Sequence, residues 1–171
     1  MYAQIIDEKT KQVNVGEGTD TEFYKSIGME EMEVEQGYDG SWYVKGYAPA
    51  QPLDELKFAK LAELKSMRDT LEVEPITYNG NNFDYDEKAR DRINAAIIAL
   101  DVRTQLTGTE ATISWTTADD SDATVTANDL RGVIANVALR SNELHIRYRE
   151  LKEQVEQCTT KEELESIMWG D

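Results

Sequence analysis

The chain has 171 residues, 40% of them hydrophobic and 30% charged, with one cysteine and a formal net charge of -16. This composition fits one globular domain or two small ones. It excludes an internal disulfide framework, suits a reducing compartment, and offers no run of roughly 18 apolar residues to span a membrane.

The opening "MYAQIIDEKTKQ" lacks a basic and then apolar leader, so no signal peptide is expected. The acidity repels phosphate backbones and anionic lipid, which disfavours nucleic-acid and membrane partners. Residues 1–48 carry 10 acids and 4 bases, and residues 49–171 carry 24 and 14. An even spread of this kind reads as a solvated surface, with an acidic nucleic-acid mimic as the alternative.

In chain order, "YAQIID" and "KQVNVG" predict two strands joined by a polar turn, and "GEGTD" a loop. Thr19 or Asp20 can cap a short helix through "TEFYKSIG", which Gly28 ends. "MEVEQ" and "WYVKGY" predict a hairpin. A three-residue loop, Tyr38-Asp39-Gly40, pairs Val34 with Val44 and Gln36 with Trp42, and sets Glu33 opposite Lys45 and Glu35 opposite Tyr43. That register gathers apolar residues on one face. It assigns Trp42 and Val44 to the core, and leaves Tyr43, Lys45 and Tyr47 outside as a candidate protein or glycan contact.

"YAPAQP" is the expected boundary, because Pro49 and Pro52 interrupt regular structure. We therefore expect an α+β protein: a small β-rich α+β domain over 1–48, a linker over 49–52, and over 53–171 a helical bundle with two β-hairpins. The first helix carries a stripe of Leu53, Leu56, Leu61, Leu64, Met67 and Leu71. In "ITYNGNNFDY" a Gly80-Asn81 turn would set Tyr78 opposite Phe83 and Ile76 opposite Tyr85. Asp84 or Asp86 caps the next helix, whose buried stripe is Ile93, Ala96, Ile97 and Leu100. "TISWTTADDSDATVTA" predicts a second hairpin in which Ile113 and Trp115 alternate with threonine and serine, and Ala123 and Val125 answer them. Trp115 and Trp169 are expected in the core.

Thr126 and Asp129 have capping-box spacing, as do Thr160 and Glu163. Along the long helix between them, Leu130, Ile134, Val137, Ser141, Leu144, Tyr148, Leu151, Val155 and Cys158 alternate spacings of four and three. This seam can close a bundle within the chain or join copies of it through Leu130–Cys158.

Catalytic patterns are absent from the residues. "GEGTD" lacks the third glycine of a dinucleotide loop and the lysine of a phosphate loop. A calcium loop begun at Asn79 would place Phe83 at its fifth position and Arg90 at its twelfth. His145 and Cys158, the only histidine and cysteine, lie about four turns apart on one helix, too far for a nucleophile and its base. The 34 acids are too numerous for any pair to mark a glycosidase. No cofactor or metal is expected. The exposed loop "ADDSDA" makes Asp119, Asp120 and Asp122 further candidate contacts.

Several stretches carry a resemblance: "RDTLEVEPITYNGNNFDYDEKARDRINAAIIAL", "ISWTTADDSDATVTANDL" and "LKEQVEQCTTKEELESIMW". They resemble an uncharacterised domain at the end of phage tail-fibre and tail-fibre-assembly proteins. "SIGMEEMEVEQGYDGSWYVKGYAP" is similar to the leader that precedes this domain in small prophage tail proteins. The family often has Asp-Asn where this chain has Asp119-Asp120. The resemblance implies a non-catalytic role in fibre assembly through binding a phage tail fibre or another tail protein. A structural baseplate or tail-tip component is the alternative. It also implies a place in the host cytoplasm during assembly, or in the virion tail.

Overall fold

The computed structural model describes residues 1–170 and has an α+β fold. Its contacts divide into two compact units, Met1–Leu56 and Lys57–Asp171. The division falls inside the helix that follows Pro52, a few residues beyond the sequence boundary at 53.

The first unit is built from β1 (Tyr2–Asp7), β2 (Gln12–Val15), α1 (Thr21–Ser26), β3 (Glu30–Glu31), β4 (Val34–Gln36) and β5 (Trp42–Val44). The sheet order is β3-β1-β2-β5-β4. Its two outermost strands, β3 and β4, are separated in the chain only by Met32 and Glu33. One bent stretch therefore supplies both edges, and the sheet curls towards closure. Backbone bonds continue across the bend, from Met32 N–H to Met1 O (2.9 Å) and from Lys45 N–H to Glu33 O (3.0 Å). Such curling leaves little unpaired edge for another chain to extend.

Asp20 caps α1 through Phe23 N–H, and Gly28 follows its end with φ 84°. The β4–β5 register is the expected one, Val34↔Val44, Glu35↔Tyr43 and Gln36↔Trp42. Burial corrects the outer-face expectation for Tyr43, which is only 6% exposed. Its ring is covered by the hairpin's own turn. A Cβ on Gly37 would lie 2.7 Å from it, and its hydroxyl donates to Asp39 Oδ2 at 2.7 Å. Trp42 and Val44, on the other face, are half-buried.

The second unit contains most of α2 (Leu53–Glu72), then β6 (Ile76–Tyr78), β7 (Asn81–Phe83), α3 (Glu87–Thr107), β8 (Thr112–Thr116), β9 (Asp122–Thr126), α4 (Ala127–Gln157) and α5 (Lys161–Glu165). Its principal core joins Phe83 of β7, Ile93 and Leu100 of α3, Trp115 and Val125 of the second hairpin, and Leu130 and Val133 of α4. On α2 only Leu64 is buried, and Met67, expected in the stripe, is 45% exposed.

The expected β8–β9 hairpin forms, with Ile113↔Val125 and Trp115↔Ala123. The β6–β7 register differs from the expected one. The turn is Asn79-Gly80, so Ile76 pairs with Phe83 and Tyr78 with Asn81. Both turn residues have positive φ, 48° and 79°. A type I′ hairpin requires this, and Asn-Gly supplies it at low cost.

The seam of α4 is used within the chain. Leu130, Val137, Leu151 and Val155 are 0–6% exposed and Cys158 is 8% exposed, so of the two arrangements the spacing allows these positions take the one that closes a bundle within the chain. Trp169, expected in the core, is half-buried at the end of the described chain.

Both predicted capping boxes form. Asp129 Oδ2 accepts from Thr126 N–H (2.9 Å) and from the Thr126 hydroxyl (2.7 Å). Glu163 Oε2 accepts from Thr159 N–H (2.8 Å) and its hydroxyl (3.1 Å). These bonds, led in each case by the backbone N–H, hold both carboxyls below their ordinary range. A carboxyl whose folded pKa is depressed contributes stability above its unfolded pKa and loses it as pH falls through the folded value. We expect helicity to be constant from neutral pH down to about 5 and the thermal midpoint to fall below about pH 4, where unfolded carboxylates take up protons. Asp129→Asn should flatten that acid limb in melts followed by circular dichroism; an unchanged limb would rule out the cap as its source.

Candidate functional site

The candidate contacts read from the sequence fall into two places, one in each unit. In the first, Tyr47 is 56% exposed and Lys45 pairs with Glu33 at 2.8 Å, while Tyr43 is withdrawn from the surface. What remains outside is one tyrosine beside an ion pair, too small a surface to hold a ligand by stacking.

In the second unit, Asp119, Asp120 and Asp122 lie at the tip of the β8–β9 hairpin. Thr117 N–H donates to Ser121 O (2.8 Å), and Asp120 N–H donates to Thr117 O (3.1 Å). Asp119 Oδ1 accepts from the Ser121 hydroxyl (3.0 Å) and from Thr117, the latter being only 3% exposed. The Thr117 bond, followed by that of Ser121, depresses the Asp119 pKa. Asp122 meets the Thr116 hydroxyl at 3.4 Å. The loop is tied to the neighbouring hairpin by Ala118 N–H donating to Asn82 O (2.8 Å). The carboxylates therefore serve the turn, apart from Asp120, which occupies its left-handed position.

The β4–β5 hairpin repeats this loop. There Gly37 N–H donates to Ser41 O (2.8 Å), and Gly40 has φ 81° where Asp120 has φ 58°. A side chain in that conformation is strained unless it is glycine. Asp120→Gly should stabilise the second unit by about 0.5–1 kcal/mol, the relief of strain being partly offset by the added freedom of the unfolded chain. Urea melts measure this, and a loss of stability would show that the Asp120 carboxylate has a role the hydrogen bonds do not reveal.

A polar cluster that no sequence pattern suggested joins α2 to α4. Glu72 Oε1 accepts from the Ser141 hydroxyl (2.8 Å) and lies 3.0 Å from His145 Nε2. Arg140 donates to Glu72 O (3.0 Å) and Pro75 O (3.2 Å), the exposed carbonyls where α2 ends. Serine, histidine and glutamate are present, but both partners point at one carboxylate. A nucleophile relay needs the hydroxyl to donate to the imidazole. This arrangement is a tie between helices, and it accounts for Ser141, the polar exception in the α4 seam.

Among the described residues no three His, Cys, Asp or Glu side chains converge as a metal site would need, and no helix is long and apolar enough to cross a membrane. The larger depressions are open. One in the second unit is lined by Leu64, Met67, Leu71, Met168 and Trp169, another by Tyr85, Asp86, Arg90 and Ser141.

Apolar side chains also lie outside the core. On α3, Ile98, Val102 and Leu106 are 65%, 50% and 82% exposed. Spaced by four, they form one row on the side away from buried Ile93 and Leu100. The signal is present in the sequence, since "IIALDVRTQL" holds two apolar rows, of which the one ending in Leu100 is the buried stripe expected above.

The geometry thus defines an acidic α+β protein with a mainly helical second unit and exposed apolar rows. The family described as Domain of unknown function (DUF4376) matches residues 55–167. The chain belongs to that family, and the match spans almost all of the second unit. No curated protein and no solved structure matches the chain.

Proposed function

We propose that this protein acts in the assembly of a phage tail fibre by binding a tail protein, without a catalytic step, in the cytoplasm of the host. The observation that carries the binding reading is the outer row of α3. Three apolar side chains spaced by four make a ridge of the kind that packs into the groove of another helix. A chain of charge -16 stays dispersed while presenting such a ridge, because like charges oppose association between copies. The phage assignment is supported by the sequence resemblance, since a domain of unknown function carries no activity with it.

Coexpression with a tail-fibre gene from the same genome tests this. The expected result is a soluble complex that Ile98→Ser together with Leu106→Glu abolishes while the melting profile is retained. A fibre that folds, trimerises and adsorbs to cells equally well without this chain would refute the assembly role. Stoichiometric recovery of the chain from purified virions would instead favour a baseplate or tail-tip part.

A further inference from the structure

The first unit carries an aromatic patch that neither the core nor the hairpin contacts explain. Tyr2 and Tyr24 stack with centroids 6.2 Å apart, and Phe23 meets Tyr24 edge-on at 5.7 Å. The Tyr24 hydroxyl accepts from Gly18 N–H at 2.7 Å, which fixes its ring over the "GEGTD" loop. Phe23 is nevertheless 53% exposed, and Ile27, one helical turn along, is 47% exposed. Ordering a phenylalanine edge-on against Tyr24 while leaving half of it in water is poor use of a large apolar side chain in a small domain, unless something covers it.

The charge around the patch is one-sided. Glu31 is the cross-strand partner of Tyr2, so the two share a face. Glu17, Asp20, Glu22 and Glu30 are also exposed nearby in the fold or the chain. Lys25 is the only cation between Lys11 and Lys45, and it pairs with Glu22 at 3.2 Å. Glu17, Asp20, Glu22, Glu30 and Glu31 outnumber the one lysine, and electron-rich ring faces beside this surplus of carboxylates suit a cation carried on an apolar backbone.

We propose that Tyr2, Phe23, Tyr24 and Ile27, with Glu22 and Glu31, bind a lysine- or arginine-bearing segment of a partner protein that also supplies an aliphatic side chain. This names the partner chemistry for the protein-binding reading above and rests on it. A second copy does not fit, because it would bring the same acids.

The test uses the full chain and three short synthetic peptides, Leu–Lys, Ser–Lys and Leu–Glu in composition, followed by backbone amide shifts and calorimetry. The Leu–Lys peptide should bind, moving the amides of Tyr2, Phe23–Ile27 and Glu31, and should weaken with salt. The Ser–Lys and Leu–Glu peptides should bind about tenfold more weakly or not at all. Phe23→Ser with Ile27→Ser changes no charge and touches no buried residue, and should cost about tenfold or more. Equal binding by that variant would reduce the effect to bulk acidity and overturn the proposal, as would a wild-type chain that ignores the Leu–Lys peptide. Concentration-dependent dimerisation abolished by the same variant would assign the patch to self-association and overturn it too. If the fibre complex forms and tolerates the variant, the patch is wrong and the assembly role stands; if no complex forms with wild type, the assembly role itself fails.

Discussion

Replacing Trp115 by alanine should cost about 3–5 kcal/mol and unfold the second unit at moderate urea. The residue sits on β8 with 7% of its surface exposed, in one core with Phe83, Ile93, Leu100 and Leu130. A two-stranded hairpin is marginal alone, so its tie to the helices is this inward face. The Arg92 guanidinium lies over the ring, 4.8 Å from its centre. Trp115→Phe keeps an aromatic in place and should lose less, while Arg92→Ala should cost about 0.5–1 kcal/mol. Urea melts followed at 222 nm decide the matter; a loss below about 1 kcal/mol for Trp115→Ala would mean the hairpin does not depend on this contact.

Gly132→Ala should destabilise the same unit although alanine is the better helix former. The position is in the second turn of α4, where exchanging glycine for alanine would ordinarily gain about 1 kcal/mol. Here a Cβ would stand 2.2 Å from the Tyr78 ring carbon and 2.3 Å from its hydroxyl oxygen. The β6–β7 hairpin lies against the start of α4, and Asn79 at its turn donates to Asp129 of the capping box at 3.2 Å. Tyr78 is half-buried and packs against the core, so its ring has to shift away from that packing to admit the methyl group. Overpacking of this kind typically costs about 1–3 kcal/mol, which exceeds the gain in helix propensity over most of that range. The double variant Gly132→Ala, Tyr78→Ala should recover part of the loss, giving a coupling of about 1 kcal/mol or more in a double-mutant cycle. Strict additivity would show that the ring and the glycine do not meet.

Much of the local structure was legible because the responsible residues lie within a few positions of one another. Thr126 finds Asp129, Thr160 finds Glu163, and Asp20 and Asp86 find the backbone N–H groups three residues on. The β4–β5 register followed from alternation across a short loop. The β6–β7 register is equally local, but the positive φ of Asn79 and Gly80 sets the turn one residue earlier than the expected Gly80-Asn81. The candidate contacts were harder. Alternation placed Tyr43 on the polar face, opposite Glu35, and that pairing is correct. Its burial comes from the turn folding back over the ring, which a strand pattern does not encode.

The amino-acid sequence by itself determined the kinds of element, their caps, the β4–β5 register and the acidity of the surface. These depend on hydrogen bonds and side-chain spacing within a turn or a pair of strands. Only the tertiary structure decided which of several apolar rows would be covered. The α4 seam could have faced another copy and instead closes within the chain, while α3 buries Ile93 and Leu100 and leaves Ile98, Val102 and Leu106 outside. A helix with two apolar rows has no local preference between them. The choice is made by the surface that arrives from elsewhere in the chain, here a core of hairpin and helix residues far apart in sequence.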